Sequence, residues 1–220
     1  MSALMGSRPA DYRAIQRHYE ETLAMFGPNV HGVDWPNLED LETRFRIMAS
    51  GVPATDEPVR LLDVGCGVGL FLDYLLENVV PGTWTYTGLD ISRAMVDNAR
   101  GRHPHARFLC RDLIASPDLG EMFDFAILNG VFTVKRDLPQ VEMEAFVKAL
   151  LTAVWPHCRL GVAFNVMSVH LDYPRDDLFH WPMDEAVAFA TRALSREVRV
   201  RADYGLYEYT TFVYREPNLA

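Results

Sequence analysis

Between Leu61 and Gly69 the chain reads LLDVGCGVG. An apolar run delivers the backbone to Asp63 and then to Gly65, Gly67 and Gly69 at alternate positions, with Cys66 between the first two. Glycines there permit a sharp turn and let a ligand lie against the backbone without Cβ obstruction. A helix beginning at Leu70 would aim its free N–H groups into the same crevice. On its own such a turn also serves packing or a dinucleotide. The spacing, however, is G-x-G-x-G, and the place of the third glycine of the dinucleotide fingerprint holds Leu70. That disfavours a nicotinamide-dependent oxidoreductase.

Two further acidic residues extend the pattern. Asp90 ends an apolar run in GLDIS, Gly88 to Ser92, where a carboxylate can accept hydrogen bonds from both ribose hydroxyls of an adenosine group. Asp112 follows another run in CRDL and can accept from an adenine amino group, with Ile91 and Leu113 flanking the ring.

These residues must be presented by alternating strands and helices. Short apolar runs read as strands at Val59 to Gly65, Thr83 to Ile91, Ala106 to Cys110, Phe123 to Asn129 and Arg159 to Met167. Helical patterns fall at Leu70 to Val79, from Ser92 as cap to about Arg102, at Val141 to Val154 and at Pro182 to Leu194. Two last strands, Glu197 to Arg201 and Leu206 to Arg215, are joined only by Ala202 to Gly205 and must be antiparallel. The expectation is an α/β, Rossmann-like, mostly parallel sheet with a C-terminal antiparallel hairpin and helices on both faces. Ahead of it, Tyr12, Ile15, Tyr19, Leu23 and Phe26 mark an amphipathic helix. A turn-rich segment, Gly27 to Asn37, separates it from a second helix, Leu38 to Met48. This divides the chain into a helical lid or cap, residues 1–58, and a catalytic domain, residues 59–220.

LLDVGCGVG, GLDIS with Met95, CRDL and FDFAILNGVF closely resemble the ordered motifs of class I S-adenosylmethionine (SAM)-dependent methyltransferases, over about Val59 to Val166. The resemblance implies a seven-stranded sheet and SAM as cofactor. It implies that Asp63, Gly65, Cys66 and Gly67 form the turn beside the methionine part, with Asp90 at the ribose, Asp112 at the adenine and Asn129 beside the sulfonium. The outer segments GVDW, Gly32 to Trp35, and DYGLYE, Asp203 to Glu208, look similar to small bacterial methyltransferases of sugar and glycan pathways. Asn129-Gly130-Val131-Phe132 lacks the paired prolines of amino-directed DNA methyltransferases.

Composition narrows the acceptor. The 220 residues carry a formal net charge of −9, which disfavours phosphate backbones as partners. No apolar run approaches the roughly 20 residues of a membrane helix. The three cysteines are far apart and show no zinc or disulfide spacing, as in a cytoplasmic protein. The partner expected is therefore a small soluble molecule, not nucleic acid or a membrane; oligomeric state is left open.

A hydroxyl acceptor gains from a general base. Ligands of open α/β sheets lie beyond the carboxyl ends of the strands. His170, after the fifth strand, is at that end and is the first candidate base; His31, in the N-terminal loop, is the second. Tyr12, Tyr19 and Trp35 are candidates to roof the substrate. A divalent metal is compatible with the chemistry, but no ligand set in the sequence supports it. O-methylation of a small acceptor, with a sugar hydroxyl as one candidate, is thus expected. Small-molecule N-methylation is the main alternative, with a silent SAM-binding protein behind it.

Overall fold

The computed structural model describes residues 11–218. Residues 1–10 of the expected lid and the last two of the catalytic domain lie outside them. Seven strands form one sheet, ordered β3-β2-β1-β4-β5-β7-β6. They are β1 (Val59–Val64), β2 (Trp84–Asp90), β3 (Arg107–Cys110), β4 (Phe123–Leu128), β5 (Cys158–Met167), β6 (Glu197–Arg201) and β7 (Glu208–Tyr214). β1 pairs in parallel with β2 and β4, β2 with β3, and β4 with β5. β7 runs antiparallel to both β5 and β6, so it alone is reversed and the expected hairpin is present.

Among the described residues six α-helices accompany the sheet: α1 (Arg13–Phe26), α2 (Leu38–Ser50), α3 (Leu70–Asn78), α4 (Arg93–Arg102), α5 (Gln140–Val154) and α6 (Met183–Ala193). Alternate side chains of each central strand feed opposite faces. Leu62 and Val64 of β1 join a core with Phe146 and Leu151 of α5 and Ala186 and Ala190 of α6. Leu61 and Val59 join a second core with Phe45 of α2, Phe71 and Leu75 of α3, and Val96 of α4. Burying both faces of a parallel sheet is what its near-continuous apolar strands require.

α1 belongs to neither layer alone. Its Ile15 joins the first core, whereas its Leu23 packs on Val68 and Met95 near the glycine turn. The helix therefore crosses the carboxyl edge of the sheet, above the ends of β1, β2 and β4. Ser92 caps α4, accepting from the N–H of Met95 at 3.3 Å, as its position in GLDIS predicts.

Candidate active site

A cavity lies between the carboxyl ends of the strands and α1. The glycine turn forms its floor. Gly65, Gly67 and Gly69 have φ of 76°, 53° and 85°, a region that side chains with a Cβ seldom adopt. Gly65 also faces Val131: a Cβ would stand 2.5 Å from the Val131 side chain. The turn is held by Asp90, whose Oδ2 accepts from Gly67 N–H at 2.9 Å and whose Oδ1 accepts from Ser92 N–H at 2.8 Å. A carboxylate has about four acceptor positions, so these bonds leave acceptor capacity for a ligand. Burial raises the Asp90 pKa, backbone N–H groups of Ser92, Gly67 and Ile91 oppose that, and Glu20 of α1 adds to the rise.

At the next strand end Asp112 accepts from Ile114 and Ala115 N–H through Oδ1, both at 3.1 Å. Its Oδ2 accepts from the Tyr12 hydroxyl at 2.8 Å. Tyr12 in turn stacks on Phe146, with ring centroids 5.2 Å apart. Of the candidate residues, Tyr12, Tyr19, Trp35, Gly65, Gly67, Asp90, Ile91, Asp112, Leu113 and Asn129 all line this cavity. Tyr12 does so at the Asp112 end. A smaller adjoining pocket is lined by Asp63, Cys66 and Phe71, and it shares Val33, Trp35, Gly65, Gly67 and Asn129 with the first. Asn129 Oδ1 is buried without a partner, an acceptor that a bound ligand would satisfy.

Asp63 is buried and accepts from the Tyr86 hydroxyl at 2.6 Å. Burial pushes its pKa up to about 7, with Asp90 adding to the rise and Tyr86 opposing it. An acid whose pKa is raised on folding binds its proton more tightly in the folded state. Its folded-state advantage therefore falls as pH rises from the unfolded value near 4 to about 7. The expected loss in the free protein is on the order of 3 kcal/mol. Urea unfolding at pH 4.5 and 7.5 should show Asp63→Asn less pH-sensitive than wild type by about this amount. Equal slopes in both would mean that Asp63 is ionised throughout.

The structure does not bring the two candidate bases to the cavity. His170 is exposed and lines neither pocket; its loop turns outward, pinned where the His170 N–H meets Ser168 Oγ at 3.0 Å. His31 is also exposed, with Nδ1 3.2 Å from the Trp35 carbonyl oxygen. Lying at the right end of the sheet is not sufficient, because a loop beyond a strand can lead away from the crevice. Among the described residues no group of three or more His, Cys, Asp and Glu side chains converges as a metal site, and no helix is long and apolar enough to cross a membrane.

A buried polar network behind the cavity was not foreseen. Gly130 N–H donates to Asn165 Oδ1 at 2.8 Å, and Asn165 Nδ2 donates to Glu208 Oε1 at 3.1 Å. Arg44 of α2 donates from Nε to Glu208 Oε2 at 2.9 Å and stacks over Trp35, 4.1 Å from the ring centroid. The Tyr204 hydroxyl also reaches Glu208, at 3.3 Å. GVDW and DYGLYE, remote in sequence, thus meet through Arg44. The network fixes the peptide after Asn129, and Gly130 has no room for a Cβ, which would stand 2.5 Å from Trp35.

The chain is similar to several known proteins. Residues 61–156 match a family model described as a methyltransferase domain. Over 163 residues the chain is 32% identical to a candidate methyltransferase of Mycobacterium tuberculosis, Rv1506c, covering 71% of this chain and 93% of that protein. The fold is similar to magnesium protoporphyrin IX methyltransferase of Synechocystis PCC 6803, solved with SAM, at a TM-score of 0.65 and 14% identity. That likeness covers 96% of this chain and all of the other. It is also similar to human N-acetylserotonin methyltransferase, solved with SAM, at a TM-score of 0.61 and 14% identity, over 99% of this chain and 61% of the human one. With the glycine turn, the acidic strand ends and the single reversed strand, these matches place the chain in the class I SAM-dependent methyltransferase family.

Proposed function

We propose that this chain binds SAM across the glycine turn and transfers its methyl group to a hydroxyl of a small soluble acceptor. The observation that carries this reading is the single cavity in which Gly65, Gly67, Asp90, Asp112 and Asn129 meet under α1. Asp90 keeps acceptor capacity for the ribose hydroxyls, and Ile91 and Leu113 offer apolar contact to a purine ring. Asp112 takes the adenine amino group through the oxygen that now holds Tyr12. Asp63, in the adjoining pocket, faces the methionine end, where a positive ammonium would favour its charged form. SAM supplies a methyl on a sulfonium, a good leaving group, so placement of the nucleophile is a large part of catalysis.

The rest of the lining supports a small and neutral acceptor. Beyond Asp90 and Asp112, both used by the nucleoside, no carboxylate lines the cavity among the described residues. An ammonium acceptor would enter without a counter-charge, whereas a hydroxyl enters neutral. α1 and the 33–35 loop act as a lid over this space. The acceptors named for the structural relatives, a magnesium porphyrin and N-acetylserotonin, differ too much to choose between.

Mass spectrometry of mixed alcohol, phenol, sugar and amine acceptors incubated with methyl-labelled SAM tests the reading. The expected result is one labelled methyl on a hydroxyl. Label on amines alone would overturn the hydroxyl assignment. Affinity for NADH without affinity for S-adenosylhomocysteine (SAH) would overturn the whole reading.

A further inference from the structure

α1 carries polar side chains at four-residue intervals: Tyr12 at its N-cap position, then Gln16 and Glu20. Residues four apart lie on one helical face, each step advancing about 6 Å along the axis. The two outer members touch strand ends that the nucleoside needs. The Tyr12 hydroxyl donates to Asp112 Oδ2 at 2.8 Å, beyond β3. Glu20 Oε1 accepts from Ser92 Oγ at 2.7 Å, two residues past Asp90 at the end of β2. Gln16 stands between these contacts and lines the cavity with Asp90, Ile91, Ser92 and Asp112.

The Gln16 amide is held in one orientation. Its Nε2 donates to Glu20 Oε1 at 2.9 Å, the same oxygen that takes the Ser92 hydroxyl hydrogen. Ser92 Oγ in turn accepts from Met95 N–H at 3.3 Å, so its single hydrogen is committed to Glu20. A Gln16 amide turned the other way would set oxygen against oxygen, acceptor against acceptor. Oε1 is therefore the free arm of the amide, and it has no hydrogen-bond partner among the described residues. The charge of Glu20 also reaches Asp90, which places this pair beside the ribose end of the site.

An acceptor oxygen at this place selects what it can bind. The adenosine part of SAM offers strong hydrogen-bond donors only at the adenine amino group and the ribose hydroxyls, because the unsubstituted ring nitrogens accept. The amino group goes to Asp112, which leaves the hydroxyls. The 2′-hydroxyl sits on the carbon next to the one that bears the base. Gln16 lies on the Asp112 side of Glu20, which is the side of the base.

We propose that Gln16, oriented by Glu20, accepts a hydrogen bond from the ribose 2′-hydroxyl of SAM, so that α1 reads the sugar while Asp90 holds it from the strand side. This rests on the placement of SAM across the glycine turn proposed above. Gln16 is then a cofactor-binding residue and Glu20 a positioning residue. A purely structural alternative is that the pair only braces α1.

Titration calorimetry with SAH, 2′-deoxy-SAH and 3′-deoxy-SAH on wild type, Gln16→Met and Glu20→Ala separates the two. Methionine keeps the length of the glutamine side chain and removes its acceptor. The ratio of SAH affinity to 2′-deoxy-SAH affinity should fall about three- to tenfold in Gln16→Met, the worth of one neutral hydrogen bond. Affinity for 2′-deoxy-SAH itself should hardly change, which also shows that the variant keeps its site. Glu20→Ala frees the amide to rotate, and its ratio should fall in the same direction; an unchanged ratio there would overturn the orienting role of Glu20. Loosening of α1 alone would weaken all three ligands alike and leave the ratio at its wild-type value, and that result in Gln16→Met would overturn the proposal. So would a loss that disappears with 3′-deoxy-SAH and persists with the 2′-deoxy analogue. Absence of SAH binding by wild type would instead overturn the placement of SAM.

Discussion

Glu208→Ala should destabilise the folded chain by about 3–5 kcal/mol, the usual cost of removing one partner from a buried ion pair. Glu208 is 2% exposed and Arg44 7%, so little water can replace the lost carboxylate. Arg44 Nη1 already lacks a partner; without Glu208 its Nε is stranded as well, and Asn165 Nδ2 loses its acceptor. The midpoint of urea unfolding, with its slope unchanged, reads the loss directly. A cost below about 1 kcal/mol would show that the pair is hydrated in solution. SAH affinity should fall with stability, because Asn165 would no longer be fixed where it holds the Gly130 peptide. Replacing Arg44 and Glu208 together by Met and Leu should recover much of the stability while leaving that affinity low.

Asp90→Ala should weaken SAH binding about ten- to hundredfold, the equivalent of losing a charged hydrogen-bond partner worth about 1.5–3 kcal/mol. Two losses combine: the ribose acceptors go, and the Gly67 and Ser92 N–H groups are released from the carboxylate that fixes the turn. Asp90→Asn keeps one amide oxygen for them and should bind better than the alanine variant. The free protein should stay folded but melt somewhat below wild type, because two backbone N–H groups lose their acceptor. The rise in melting temperature with added SAH should be much smaller than in wild type. Equal calorimetric affinity for Asp90→Ala and wild type would remove Asp90 from the site.

The strands and helices were legible because their signals are local. A glycine turn after an apolar run, a serine cap in GLDIS and a linker too short for a crossover each act within a few residues. Boundaries accordingly agree to within a residue or two: the expected strand Thr83 to Ile91 is found at Trp84–Asp90, and Glu197 to Arg201 matches. The cavity floor was legible for the same reason, since its residues follow directly on strand ends. What escaped depends on contacts between distant segments. Arg44 and Glu208 are 164 residues apart, and nothing in either neighbourhood signals the other. GVDW and DYGLYE stood out as segments, but their connection through Arg44 exists only in three dimensions.

The reversed strand has a consequence for how the chain acquires its shape during synthesis. β7 follows β6 in sequence yet lies inside it in the sheet, between β5 and β6. As the chain emerges from the ribosome, β1 to β5 can pair in the order in which their neighbours arrive. β6 then appears with no partner beside it. Until residues 208–214 are made, β5 presents an open apolar edge, the kind of edge that invites pairing with another nascent chain. Arg44 meanwhile waits without its carboxylate. Insertion of β7 closes the edge, recruits β6 and neutralises Arg44 in one step, so the sheet should complete abruptly once residues 208–214 are available.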